Sequence, residues 1–139
     1  MANKPEDICV SLDTAKRLQE SGIVIDALYY WMQYDAYDFE IRTDFHLVTN
    51  EALENKREDD TVNVIRYYPA PTAEEFERFI TSDYNDNVTK IDTITNGGNV
   101  SVGIHNFEKK TFYQGRWHAK KTEALAEIAL YLTQKVRES

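Results

Sequence analysis

Residues 88–107, VTKIDTITNGGNVSVGIHNF, decide the fold class, because they predict that strands of this protein pair in an antiparallel way. The runs 88–95 and 99–107 are rich in Val, Ile and Thr, which favour strands. The NGGN between them supplies the positive φ angles of a tight hairpin turn. A phosphate-binding glycine loop precedes a helix, so this segment predicts a hairpin and not a nucleotide-binding loop.

The segments after this hairpin predict a third strand and a closing helix. KTFYQGRWHA (110–119) is expected to pair beside the hairpin. The helix is expected to run from Thr122 or Glu123 to about Arg137. Its apolar residues recur with helical spacing at Leu125, Ile128, Ala129, Leu132 and Val136.

The middle of the chain predicts a short strand, TVNVIRYY (61–68), followed by a helix, PAPTAEEFERFI (69–80). Thr72 and Glu75 have the spacing of a capping box, in which each side chain bonds the backbone N–H of the other residue. The buried side of this helix is expected to carry Phe76, Phe79 and Ile80.

The N-terminal segment SLDTAKRLQESGI (11–23) predicts another helix. Ser11 is the expected N-cap, Asp13 is favourable in the first turn, and Gly22 is expected to end the helix in a left-handed conformation. The buried stripe consists of Leu12, Ala15 and Leu18.

Two strands are expected next. IDALYYWMQY (25–34) is too continuously apolar for a short amphipathic helix and predicts a strand buried on both faces. Residues 37–47 alternate between apolar and polar side chains, which is typical of a half-buried strand. We expect the turn between them near Asp35 and Ala36. TNEALENKREDD (49–60) lacks an apolar stripe and predicts a solvated loop or a marginal helix.

The resulting order is α-β-β-β-α-β-β-β-α, which predicts an α+β fold with a mainly antiparallel sheet and three helices. A chain of 139 residues without internal repeats is expected to form one domain, 1–139. The single cysteine, Cys9, excludes an internal disulfide and a thiolate zinc cluster, and its apolar neighbours predict burial. With no membrane-spanning run and no signal peptide, a cytoplasmic location is expected.

The charge of the chain is unevenly distributed. Its net charge of −8 argues against general nucleic-acid binding. Residues 107–121, FEKKTFYQGRWHAKK, nevertheless contain five basic residues and one acidic residue. This stretch ends at the start of the closing helix, where unpaired N–H groups attract anions.

The basic stretch therefore carries the candidate ligand-binding residues, which are Tyr113, Arg116, Trp117, Lys120, Lys121 and Thr122. Lysines and a threonine hydroxyl at a helix start suit a phosphate or an acidic surface, and Trp117 or Tyr113 offers a ring for stacking. The alternative is that both lysines point into solvent and pair with Glu123 or Glu127.

The sequence points less clearly to catalytic residues than to the basic stretch. The polar face of the alternating strand carries Asp38, Glu40, Arg42, Asp44 and His46, which suit a metal or an acid–base pair but are also typical of a solvated face. Neither His105 nor His118 accompanies a known nucleophile motif. We therefore expect no catalytic residues, no metal and no cofactor.

Three segments resemble short uncharacterised proteins that are encoded in prophages and mobile elements of gut anaerobes. They are SLDTAKRLQESGI, YYPAPTAEEFERFI and TEALAEIALYL, although Phe76 and Glu77 stand where that group has a Leu-Gly pair. The resemblance implies a phage or mobile-element origin and a location in the host cytoplasm. It implies no activity.

The first functional hypothesis is a non-enzymatic binding or assembly module, with self-association as its simplest form, because nine tyrosines suit a protein interface. The second is a protein that binds a nucleotide or phosphorylated metabolite through the basic stretch. A third is an acidic decoy that mimics DNA and occupies a host nucleic-acid-binding protein.

Overall fold

The computed structural model describes residues 5–36, 44–83, 89–106 and 111–138 of the chain. Within these ranges the helices and strands follow in the order α1 (Pro5–Ile8), α2 (Leu12–Glu20), β1 (Tyr29–Ala36), β2 (His46–Thr49), α3 (Asn50–Glu58), β3 (Val62–Pro69), α4 (Ala73–Asp83), β4 (Thr89–Asn96), β5 (Asn99–Asn106), β6 (Thr111–Gln114) and α5 (Lys121–Glu138). Every strand pair is antiparallel, so the α+β prediction is confirmed.

The predicted hairpin is present. β4 and β5 pair along their whole length, and the two-residue turn between them consists of Gly97 (φ 59°) and Gly98 (φ 86°). Both angles lie in the left-handed region that glycine adopts without a steric penalty. β6 pairs with the other edge of β5, and the backbone of His118 still exchanges two hydrogen bonds with Val100.

The strands form two three-stranded sheets and not one, in the orders β2-β1-β3 and β4-β5-β6. The expected turn at Asp35 and Ala36 is wrong, because both residues lie inside β1 and pair with Asn63 and Val62 of β3. Most of the predicted alternating strand, residues 37–43, lies outside the described residues. From residue 44 to residue 47 the exposure alternates as predicted.

The segment predicted as a loop or marginal helix forms α3, so the chain has more helices than the three expected. Thr49 caps α3 by accepting a hydrogen bond from the Ala52 N–H at 3.1 Å. Its single buried side chain is Leu53, which is 2% exposed. α3 contacts all three strands of the first sheet and covers the face that holds Met32. The short α1 was also not predicted.

The main core is formed by α2, α4 and α5 with one face of each sheet. The predicted buried residues Phe76 and Ile80 of α4, and Leu125 and Ile128 of α5, are 0% exposed. Cys9 is also fully buried, as predicted. On the first sheet, Trp31 packs against this core and donates a hydrogen bond to the Val10 carbonyl at 3.0 Å. The core therefore fixes the position of the segment from β6 to α5.

Candidate functional site

The six predicted site residues do not line one cavity. Tyr113 and Arg116 line a cleft of about 510 Å³ between α2, β6 and α5. Lys121 and Thr122 line a separate cavity of about 480 Å³ where α4 and α5 begin. Trp117 is 51% exposed, and neither it nor Lys120 lines either space. The start of α5 therefore divides the predicted site in two.

Both lysines bind partners within the protein. The Lys120 ammonium donates to the Cys9 carbonyl at 2.9 Å, just after the C-terminus of α1. The Lys121 ammonium lies 2.9 Å from a carboxylate oxygen of Glu77 on α4. The alternative of pairing with Glu123 or Glu127 is not what these two bonds show, since the observed partners are the Cys9 carbonyl and Glu77. The lysines thus connect α5 to α1 and α4.

We name the larger space the arginine cleft, after the guanidinium groups of Arg17 and Arg116. Residue Arg17 comes from α2, and Arg116 comes from the segment between β6 and α5. The remaining lining residues are Thr14, Tyr113, His118, Glu123, Ala126, Glu127, Leu130 and Tyr131.

Glu127 organises one wall of the arginine cleft. Its Oε1 accepts hydrogen bonds from the Arg116 backbone N–H at 2.9 Å and from His118 Nε2 at 2.8 Å, and its Oε2 accepts one from the Tyr113 hydroxyl at 2.8 Å. Burial alone would raise the pKa of Glu127, but these hydrogen bonds lower it below its usual value. The carboxylate is therefore ionised at neutral pH.

Gly115 makes room for this arrangement. A Cβ at this position would lie 3.0 Å from the Val102 carbonyl oxygen and 3.1 Å from Glu127 Oε1. Since real Cβ atoms rarely approach other atoms so closely, a side chain here would push Glu127 away from its donors. The glycine thus lets β6 and α5 approach each other at the wall of the cleft.

Tyr113 presents a neutral hydroxyl and a stacked ring. Burial, its hydrogen bond to Glu127 and the charge of that carboxylate raise the pKa of Tyr113 to about 12. Its ring stacks on Tyr131, with centroids 3.7 Å apart and planes 9° from parallel. The pair forms an aromatic surface on one side of the cleft.

The second carboxylate of the cleft, Glu123, is also bonded to protein groups. It accepts hydrogen bonds from the Ser11 backbone N–H at 2.8 Å and from the Thr14 hydroxyl at 2.5 Å. By contrast, in the part of the chain that the structure describes, no carboxylate lies within ion-pair distance of Arg17 or Arg116. The two guanidinium groups therefore keep their hydrogen-bonding capacity for a ligand.

Sequence reasoning missed Arg17, Glu127 and Tyr131 as parts of a site. A signal existed on α5, where Glu123, Glu127 and Tyr131 recur at intervals of four residues and so share one helix face. No comparable signal pointed to Arg17, because only the tertiary packing of α2 against α5 brings it to the cleft.

The other candidate residues lie elsewhere. Asp38, Glu40 and Arg42 lie outside the described residues, while Asp44 and His46 are exposed. His105 lies on the second sheet, where its Nε2 is 2.7 Å from Asp92 Oδ2. Across residues 5–36, 44–83, 89–106 and 111–138, no three acidic, histidine or cysteine side chains are grouped as a metal site.

Comparisons of the chain with protein-family models, with curated proteins and with solved structures found no match. Among the helices within the described ranges, none has the length and apolar character needed to cross a membrane.

Proposed function

We propose that this protein binds a small anionic ligand in the arginine cleft. One observation supports this above all: two guanidinium groups without carboxylate partners share a cleft whose own carboxylates are bonded to protein donors. Arg17 and Arg116 offer planar hydrogen-bond donors that match phosphate and carboxylate groups. Glu123 and Glu127 compete less for them, since both already accept hydrogen bonds.

The ligand class that fits best is a nucleotide or a phosphorylated metabolite. The volume of about 510 Å³ suits a small molecule, because ligand sites commonly occupy roughly 300–1,000 Å³. Tyr113 and Tyr131 supply an aromatic surface near the arginines, on which a base or another flat group can pack. For a phage or mobile-element protein, such a site would sequester a nucleotide of the host.

We assign the cleft a binding role and not a catalytic one. Tyr113, His118 and Glu127 hydrogen-bond within one group, as expected of side chains that maintain the wall of a site. The wall then holds Arg116 in place through its backbone N–H. A hydrogen-bonded wall beside two exposed arginines suits recognition of an anion.

Titration calorimetry with a panel of nucleotides and sugar phosphates tests this proposal. We expect at least one member to bind, and Arg17→Ala and Arg116→Ala each to weaken its binding by about tenfold or more. Arg78→Ala is the matched control, because Arg78 is exposed on α4 and lines neither space. The proposal fails if no member binds, or if the control weakens binding as much.

A second candidate function is self-association through the outer face of the second sheet. Ile94 and Phe112 are 48% and 58% exposed there, and Trp117 is exposed on the segment that follows β6. Four of the tyrosines contact one another within the chain, Tyr30 with Tyr67 and Tyr113 with Tyr131, which leaves less of their surface for a partner.

Light scattering tests the assembly hypothesis. We expect the chain to form a dimer that Phe112→Lys together with Trp117→Lys dissociates. Val24→Lys is the control, since Val24 is 80% exposed and lies before β1, away from the second sheet. A chain that stays monomeric at high concentration would reject self-association.

A further inference from the structure

The cavity lined by Lys121 and Thr122 differs in chemistry from the arginine cleft. The N-terminal residues of two helices meet there, with Thr72, Ala73 and Glu74 from α4 and Lys121 and Thr122 from α5. Asp7, Ile8, Leu28 and Tyr29 complete its lining. α5 has 18 residues and is long enough to have an electropositive N-terminus, whereas the N-terminus of α4 is capped by Thr72 and by the carboxylate of Glu75.

Among the described residues, no side chain caps the start of α5. Lys120 occupies the N-cap position, because its carbonyl accepts the first helical hydrogen bond from the Ala124 N–H at 3.2 Å. A lysine side chain has no acceptor atom for the N–H groups of the first turn. Glu123, which would complete a capping box, bonds to α2 instead. The first N–H groups of α5 thus need an acceptor from outside the helix.

Thr122 gives an independent sign of a missing partner at the same place. The residue is only 3% exposed, and it lines the cavity. Among the residues that the structure describes, its Oγ1 is the buried side-chain oxygen that lacks a hydrogen-bond partner. Because this oxygen has almost no accessible surface, it reaches a ligand in the cavity by a change of χ1 rotamer, which threonine makes in a helix without moving the backbone.

The other residues that line this cavity indicate the charge and polarity of the anion that would fit it. Asp7 and Glu74 are exposed at the cavity and disfavour a ligand with two negative charges. Lys121 pairs with Glu77, so its charge is largely compensated. Leu28 is 65% exposed and offers apolar surface beside Ile8. A single negative charge joined to an apolar group matches these features.

We propose that this cavity binds a small apolar monocarboxylate, whose carboxylate accepts hydrogen bonds from the first turn of α5 and from the Thr122 hydroxyl. The alkyl or aryl group lies against Leu28 and Ile8. This site is separate from the arginine cleft, and the proposal does not depend on the function assigned to that cleft.

Hexanoate is the probe, with hexan-1-ol as its uncharged control, in titrations followed by ¹H–¹⁵N NMR. We expect hexanoate to bind with a Kd of about 1 mM or tighter and to shift the amide signals of Ala73, Glu74 and Thr122. Hexan-1-ol is expected to leave these signals unchanged at the same concentration. Thr122→Val should weaken hexanoate binding about tenfold or more, while the melting temperature stays the same or rises.

Thr133→Val is the matched control on α5, because the Thr133 hydroxyl bonds the Ala129 carbonyl and the residue does not line the cavity. Arg17→Ala separates the two sites and is expected to leave hexanoate binding unchanged. The proposal is overturned if hexanoate gives no saturable shift, or if Thr122→Val binds it as the natural protein does. Equal shifts by hexan-1-ol, tighter binding of inorganic phosphate, or equal weakening by Arg17→Ala also overturn it.

Discussion

Helices α4 and α5 both carry glutamate at the third position, yet these two glutamates form different capping hydrogen bonds. On α4, the Thr72 hydroxyl accepts the Glu75 N–H at 3.4 Å and Glu75 accepts the Thr72 N–H at 2.8 Å. On α5, a lysine stands where α4 has threonine, and Glu123 turns to α2. A glutamate at the same position therefore caps its own helix on α4 and a different helix on α5.

The helix that benefits from Glu123 is α2. Ser11 caps α2 by accepting the Thr14 N–H at 3.3 Å, but Thr14 cannot reach back to the Ser11 N–H as a glutamate would. Glu123 takes that role from another helix and also accepts the Thr14 hydroxyl. The capping box of α2 is thus shared between two helices, whereas the α4 box is complete within one.

Of the substitutions considered, Glu75→Ala is expected to lower the free energy of unfolding most. Glu75 is 9% exposed, and besides the capping bond it accepts the Leu28 N–H at 2.9 Å. Removing it takes the acceptor from two partly buried backbone donors, the Thr72 and Leu28 N–H groups, which should lower the free energy of unfolding by about 2–4 kcal/mol. Urea denaturation measures this change. Glu74→Ala is the control, since Glu74 is exposed, and an equal loss there would show that α4 is not capped as described.

Glu123→Ala should have a smaller effect, because Glu123 is only half-buried. Loss of its bonds to Ser11 and Thr14 is expected to lower the free energy of unfolding by about 1–3 kcal/mol. Hydrogen exchange should rise in the first turn of α2 and stay unchanged in the first turn of α4. Faster exchange at α5 without a change at α2 would contradict the shared capping box.

Glu127, one turn further along α5, makes a contribution to the free energy of unfolding that depends on pH. Because its pKa is lowered in the folded protein, its contribution is fully present above the usual value of 4.5 and is lost as the pH falls through the folded pKa. We expect the gap in unfolding free energy between the natural protein and Glu127→Gln to be larger at about pH 7 than at about pH 3. A gap that is constant with pH would show that the charge of Glu127 contributes nothing.

Lys121→Ala is expected to change the free energy of unfolding least. The Lys121–Glu77 pair joins the starts of α5 and α4, but its side chains are 44% and 39% exposed. Such pairs contribute about 0.2–1 kcal/mol, and salt screens them. Denaturation at low and at high salt should show a small loss that disappears at high salt. A larger loss that persists at high salt would mean that the pair acts through packing.

Local signals predicted much of the fold. The Thr72–Glu75 capping box, the Gly97–Gly98 turn and the Ser11 cap each depend on a few neighbouring residues, and each is confirmed. Gly22 follows α2 with a φ of 79°, as its position predicted. Such features can be predicted from the sequence because the interactions that stabilise them join residues a few positions apart.

Features that depend on residues far apart in the chain could not be predicted from the sequence. α3 has one buried side chain, Leu53, and its stability comes from the sheet face that it covers, so the sequence showed no apolar stripe. The partners of Lys120 and Lys121 are the Cys9 carbonyl and Glu77, far away in the chain. The predicted site residues follow one another in the chain, but their division by α5 between two spaces could be seen only in the tertiary structure.

The bond between the Ser11 N–H and Glu123 also has a consequence for synthesis, because 112 positions separate the two residues. At roughly 5–20 residues per second, the ribosome releases Glu123 on the order of ten seconds after Ser11. During this interval the Ser11 N–H can bond only to water or to transient partners. The N-terminus of α2 is therefore completed only after the first turn of α5 has been synthesised.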